Sequence, residues 1–436
     1  MEITHFSNSF LCVKSGNTNL ICDPWVGITS ENAWISDPIN YNGEKIIKNI
    51  QPKFIYISHL HCDHFDPALL DKINKHDISI VIKKFKIPVL KNRLIKLGFK
   101  NIVEIEAWHL KKLNKDISIA IVPQLSSDNE GIGSSIEYDL DTSIIIKSEK
   151  SKKVFYNNVD NPLIVRDYKK VKKFVDEKMK SKVNVCTFNV GAASEYPHCF
   201  LNINRNKEKN RIIKKSIDNA KKKLNILKPD IFFPSGGTYQ ICGKFNRLNK
   251  YRALLKPNLY KKIKYKNINT VNLLGGKTIK LNGKQKIIDK KRFNYSLTKT
   301  KINKINYFYQ SNKIDQINKL DFLFSSSLYR YKDKLKKIKM KNSWKLKFFI
   351  YDDLKLNRNG KIDKSKSKVV KNYNLEHLKK KNHSELYLHL DAGLFYNLLT
   401  RKTSWNAAIS GSLILYERKP NVFFPDLTAS LNFLTI

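Results

Sequence analysis

With 436 residues, 50.8 kDa and 41% hydrophobic residues, the chain can bury a sizeable core; at ~150 residues per domain it has room for two or three units. No run reaches the ~18 uninterrupted apolar residues of a membrane helix, and the opening MEITHFSNSF lacks the basic start and apolar core of a secretory signal, so a cytoplasmic protein with no membrane partner is expected. The formal net charge of +44, from 82 Lys and Arg against 38 acids, would suit nucleic acid, but the lysines are spread through KKFKIP, KKVKKF, KKIKYK and KDKLKKIKMK without the interleaved aromatics of a single-strand groove; solvated lysines are the preferred reading.

In chain order, Phe10–Val13 and Leu20–Cys22 flank the turn Ser15-Gly16-Asn17-Thr18 and predict a β-hairpin. Phe54–Ile57 is a short apolar strand entering a loop rich in His and Asp. Asp66-Pro67 then opens a helix, because Asp can accept from free N–H groups and Pro fits the first helical position. Ile78–Ile82, Ile102–Ile105 and Ile117–Val122 are predicted strands, with a helix over Val89–Leu97. Thr142–Lys147 and Lys153–Tyr156 form a second hairpin, Val183–Phe188 a strand, and Arg211–Leu227 a basic amphipathic helix leading to the strand Asp230–Phe233.

This pattern places a layered α/β domain over residues 1–255. Residues 256–385 are Lys- and Asn-rich with weak periodicity and read as a partly helical insertion or linker region. Residues 386–436 return to strand and helix patterning and are expected to pack on or extend the main domain. The six cysteines are scattered, without close pairs, and read as reduced thiols.

The segment carrying chemistry is Ser58-His59-Leu60-His61-Cys62-Asp63-His64, a His-x-His-x-Asp-His pattern between a strand and a helix. Imidazole and carboxylate are ligands for divalent transition metals. Two histidines one residue apart in extended backbone project to one side and reach one ion. Asp63 and His64 point elsewhere and can hold a second ion. Cys62, between them, is expected to point into the core. A Rieske cluster would need a second Cys-His pair, which the sequence lacks.

The motif resembles that of the metallo-β-lactamase superfamily, whose members fold as a four-layer αββα sandwich. Within it the chain is similar to the metallo-β-lactamase-like part of CMP-N-acetylneuraminate hydroxylases, without their Rieske domain. The resembling stretches are Asp23-Pro24-Trp25, the histidine motif, Asp141–Ile145, Val154–Asp160, Gly191–Ser194 with Tyr196-Pro197, and Lys228–Gly237, with a weaker echo over Asp391–Pro425.

The resemblance implies one or two divalent ions (Zn, Fe or Mn) held by His59, His61, Asp63 and His64, with Asp160 as the acidic ligand bridging them. It also implies a histidine before Asp141 and another after the last strand, and neither is present. Asp128 is the first choice to replace the former, among Glu130, Glu137, Asp139 and Asp141 of the same loop, and His198 is the other option; His109 is the weaker histidine. The first functional reading is hydrolysis of a small anionic substrate by a metal-bound hydroxide, with Asp63 at the centre, in sugar-nucleotide or surface-polysaccharide metabolism. The alternatives are a non-haem iron oxygenase fed by a separate redox partner, and a basic nuclease.

Overall fold

The structure is a computed structural model; it describes residues 1–37, 42–125, 141–192, 194–281, 286–288, 302–311, 314–337, 344–377 and 384–436. Two sheets face each other. The first has eight strands in the order Lys286–Ile288, Lys277–Lys280, Glu2–Ser7, Phe10–Ser15, Thr18–Cys22, Phe54–Tyr56, Ser79–Lys83 and Ile102–Ile105. The second has seven, in the order Asn269–Thr270, Ile231–Pro234, Val183–Phe188, Val154–Asn157, Ser143–Ser148, Ile117–Val122 and Lys111–Lys112.

Strand periodicity explains the layers. Along Ile117–Val122 every residue is buried, so the strand reads as a continuous apolar run. Ile117, Ile119 and Ile121 meet Leu11, Val13 and Phe155 between the sheets, while Ala120 and Val122 face the opposite way. On that outer side lie the helices Asp167–Lys178 and Arg205–Leu227, through Val171, Val175 and Leu224. The helices Gly43–Ile50, Pro67–Lys72 and Val89–Lys96 cover the first sheet through Ile46, Leu70 and Leu94, packed on Ile21, Ile55 and Ile80. The order is therefore helix, sheet, sheet, helix. Each buried Leu or Ile contributes about 1.5–3 kcal/mol before entropy is charged against it.

The predicted hairpin pairs as expected, Leu11 opposite Cys22 and Val13 opposite Leu20. Asp66 accepts from Leu69 N at 3.1 Å and starts the helix at Pro67. The long helix differs from expectation: it begins at Arg205, not Arg211, because Asn204 Oδ1 accepts from Lys207 N at 3.0 Å and caps it there.

The Lys- and Asn-rich region holds more regular structure than its weak periodicity suggests. Lys277–Lys280 pairs with Glu2–Ser7 and so completes the first sheet. Trp344–Tyr351 and Val369–His377 join Ser384–Asp391 and Leu415–Lys419 in a separate four-stranded sheet. Trp344–Tyr351 alternates its burial, with Leu346, Phe348 and Ile350 inward and Lys345, Lys347 and Phe349 on the other side, a signal diluted by the surrounding lysines. This sheet, with the helices Leu320–Lys337, Ala392–Leu399 and Trp405–Ser410, shares one core with Trp25, Trp34, Phe200 and Phe245 of the sandwich. Trp34 lies on a small three-stranded sheet of Ile28–Thr29, Trp34–Ser36 and Tyr239–Ile241.

Candidate metal centre

The strand Phe54–Tyr56 ends at Ser58, and the chain then folds into a tight turn in which His64 N and Phe65 N both donate to His61 O. That turn spreads the motif into two donor groups. His59, His61 and Asp141 form one; Asp63, His64 and Asp160 form the other, the ligand atoms of each lying within 4.8 Å of one another. Asp141 stands just before the strand Ser143–Ser148 and Asp160 just after Val154–Asn157, two neighbouring strands of the second sheet. The site thus bridges the rims of the two sheets.

Hydrogen bonds from behind set which ring nitrogen faces the centre. Asp23 is fully buried, and its Oδ1 accepts from Ser58 N at 2.8 Å and its Oδ2 from Ser58 Oγ at 2.7 Å. With that hydroxyl hydrogen committed, Ser58 Oγ accepts from His59 Nδ1 at 2.9 Å, which leaves the His59 Nε2 lone pair inward. His64 Nδ1 donates to Asp23 Oδ2 at 2.9 Å, so its Nε2 faces Asp160 Oδ2 at 3.3 Å and Asp63 Oδ2 at 3.5 Å. A carboxylate behind a ring that points at a cluster is how proteins orient metal-binding histidines. Asp63 Oδ2 in turn accepts from Asn8 Nδ2 at 3.0 Å.

In the first group His59 Nε2 lies 2.7 Å from His61 Nδ1 and 3.2 Å from Asp141 Oδ1. Burial, with His64 and His61 beside it, holds His59 well below the ordinary histidine range, so it is neutral with a lone pair to give. Burial alone would also lower His64, but Asp63, Asp160 and Asp23 outweigh it and hold that ring well above its usual value. Asp160 Oδ1 is buried and has no hydrogen-bond partner among the described residues. Three imidazoles and three carboxylates gathered with one orphaned oxygen suit divalent cations, and the donors fit one ion in each group.

The backbone is adapted at the same place. Val159, a β-branched residue, is held at φ 53° immediately before Asp160, with its N–H donating to Asn157 Oδ1 at 3.1 Å. Gly236 passes beside Asp160 at φ 84°, where an added Cβ would stand 3.0 Å from Asp160 Oδ1. The two groups open on a cavity of about 550 Å³ also lined by Trp34, Cys62, Asn189, Tyr239 and Asn406.

Two facing sheets with helices outside, and a His-x-His-x-Asp-His turn at the rim of one meeting a carboxylate from each of two strands of the other, decide the architecture. The chain has the metallo-β-lactamase fold.

No family model matches the chain. A protein of Mycolicibacterium smegmatis, provisionally described as a Rieske 2Fe-2S iron-sulfur protein, is 30% identical over 105 residues, 24% of this chain and 20% of its own length. The cytidine monophosphate-N-acetylneuraminic acid hydroxylase of Xenopus laevis is 25% identical over 168 residues, 37% of this chain and 26% of the hydroxylase. The chain thus spans about a quarter of the curated relatives it matches. Among solved structures, CmlA, a diiron beta-hydroxylase from Streptomyces venezuelae, is 15% identical with a TM-score of 0.44, over 64% of this chain and 54% of CmlA. Other solved structures that match are a protein of Parabacteroides distasonis, provisionally described as a metal-dependent hydrolase (16% identical, TM-score 0.36, over 62% of this chain and 92% of its own), and an isothiocyanate hydrolase from Delia radicum gut bacteria (14% identical, TM-score 0.42, over 64% of this chain and 99% of its own).

Of the residues singled out in the sequence, the structure brings together His59, His61, Asp63, His64 and Asp160. It places Asp160 in the group of Asp63 and His64. Asp128 lies outside the described residues, as do Glu130, Glu137 and Asp139. The carboxylate that completes the first group is Asp141, which the sequence offered as one of several acids in its loop. His198 is buried elsewhere, its Nε2 2.8 Å from Ser412 Oγ, and His109 is exposed; neither joins a donor group. Cys62, expected in the core, lines the cavity instead, with its Sγ 3.0 Å from Ser30 Oγ, because the turn after His61 swings it outward. Asn8 and Asn406 carried no local signal for their parts, and Asp23, though within a resembling stretch, carried none for its contact with His64, since each is set by a residue far along the chain.

Proposed function

We propose that this protein is a dinuclear metal-dependent hydrolase acting on a small anionic molecule. The observation that carries the reading is that both donor groups lie in the wall of one cavity, with Asp63 and Asp160 exposed to it. His59, His61 and Asp141 would hold one ion, and Asp63, His64 and Asp160 the other. Bound there, a divalent ion supplies Lewis acidity and an acidified water, and iron in the same donors also supplies redox chemistry with dioxygen.

The chain's own residues would do the rest. Asp63, fixed by Asn8, offers a carboxylate oxygen to the cavity that can hold a proton leaving an attacking water or entering a leaving group. Trp34 and Tyr239, stacked at 3.8 Å between ring centroids, give the cavity a rigid apolar wall that keeps bulk water from part of it. Net positive charge would raise the local concentration of an anionic substrate.

A second reading, oxygenation, is favoured by Asp141. Two histidines and one carboxylate form the donor set of many non-haem iron oxygenases, and the relatives include hydroxylases. That reading needs an electron-donating partner, and the substrate would be a sugar nucleotide. Metal analysis of the native protein tests both. Zinc or manganese with hydrolysis of phosphoester or amide substrates supports the first; iron with substrate-dependent oxygen uptake replaces it with the second. A protein with neither metal nor either activity overturns both.

A further inference from the structure

Lys223 projects from the long helix Arg205–Leu227 into the wall of the metal cavity. The other charged residues that line it are His61, Asp63, Asp141 and Asp160, and all four belong to the donor groups. Lys223 does not. Its Nζ lies over the rings of Tyr168 and Phe188, 4.9 and 5.1 Å from their centroids, and makes no hydrogen bond or ion pair among the described residues.

This is an unusual place for an ammonium. Many lysines of the chain reach water or an acid, as Lys172 reaches Asp176 and Lys182 reaches Asp230. Lys223 instead trades hydration for two aromatic faces, which return only part of the lost solvation. Burial accordingly pushes its amine down to about 8. Asn189, which follows Phe188, lines the same cavity and adds an amide with no hydrogen bond among the described residues. A cation and a neutral donor left open on one cavity wall are complementary to a small anion.

We propose that Lys223 is the anion-recognition residue of this cavity, holding a carboxylate or phosphate group of a small substrate while the reacting part lies at the donor groups. The proposal rests on the cavity being the substrate site. It assigns binding to a residue outside the metal-binding motif, on a helix of the second sheet's outer layer.

The test is anion binding by metal-free protein, which removes the ions as competing anion sites. Inorganic phosphate and acetate are titrated separately into wild type, Lys223→Gln and Lys223→Arg, following tryptophan fluorescence. Lys223→Gln should weaken the bound anion by at least about tenfold, and Lys223→Arg should stay within about threefold of wild type. Which of the two anions binds more tightly tells phosphate from carboxylate. As a check that needs no variant, limiting acylation at pH 8 followed by peptide mapping should label Lys223, and the tighter anion should slow that labelling. Equal anion affinity in wild type and Lys223→Gln, or labelling indifferent to both anions, overturns the proposal. Failure to bind metal, with anion binding at Lys223 intact, sinks the hydrolase reading and leaves this one standing.

Discussion

His64 Nδ1 lies 2.9 Å from Asp23 Oδ2, and neither side chain reaches solvent. Forty-one residues apart, the two are locked by a charge-assisted hydrogen bond that decides which His64 nitrogen faces Asp63 and Asp160. Asp23→Asn preserves shape and the left-handed backbone at φ 41°, which Asn tolerates, but removes the charge. It should weaken metal binding by about 10–100-fold with the fold intact, as read by competitive metal titration alongside circular dichroism. Wild-type affinity in this variant would end the orienting role.

Asp141 and Asp128 can be separated by stoichiometry. Asp141→Ala should lose about one metal equivalent per chain, because His59 and His61 alone leave the first group a ligand short. Asp128→Ala, in parallel, decides whether that residue adds a donor: an unchanged metal content excludes it. His61→Ala should remove most of the metal and all activity, and retention of both would refute the centre.

Gly236 tests the crowding beside Asp160. In Gly236→Ala the new Cβ would press 3.0 Å from Asp160 Oδ1 with φ at 84°. The expected cost is about 1–3 kcal/mol in chemical denaturation, with metal affinity falling alongside. An alanine variant as stable and as metal-avid as wild type would show that this loop yields freely.

Acid should destabilise the sandwich through His5. Burial pushes this ring down to about 4, while its Nε2 donates to Asn8 O at 2.8 Å. Unfolded, it titrates near 6.5, so between about 6.5 and 4 the unfolded chain binds the extra proton. Stability is therefore full above the unfolded value and is lost as pH falls through this window, by up to ~3 kcal/mol from this residue. His5→Asn should flatten that part of the stability curve measured by denaturant melts. An unaltered slope would mean that His5 does not take up a proton on unfolding in this range.

Legibility in the sequence followed locality. The hairpin at Ser15–Thr18, the Asp66-Pro67 helix start and the apolar strand Ile117–Val122 are set by neighbours in the chain, and each was readable. The histidine motif was readable for the same reason. The small strands Trp34–Ser36 and Tyr239–Ile241 exist because they pair across two hundred residues, which no window of sequence reveals. Asp141 was visible only as one acid among several, since its role depends on where the turn at His61 meets the second sheet. In the Lys-rich region, lysines at alternate positions of Trp344–Tyr351 masked a strand whose inward side chains are Leu346, Phe348 and Ile350.

The amide nitrogen of Asn406, near the C-terminal end of the chain, lies 3.3 Å from His61 Nε2. One imidazole thus touches the candidate metal centre with one edge and, with the other, the helix Trp405–Ser410 of the C-terminal part. Were ions bound there, occupancy and docking would be linked quantities: whatever tightened one would, by reciprocity, tighten the other. A loaded protein would hold its C-terminal part more firmly, and loosening that part would let the ions go.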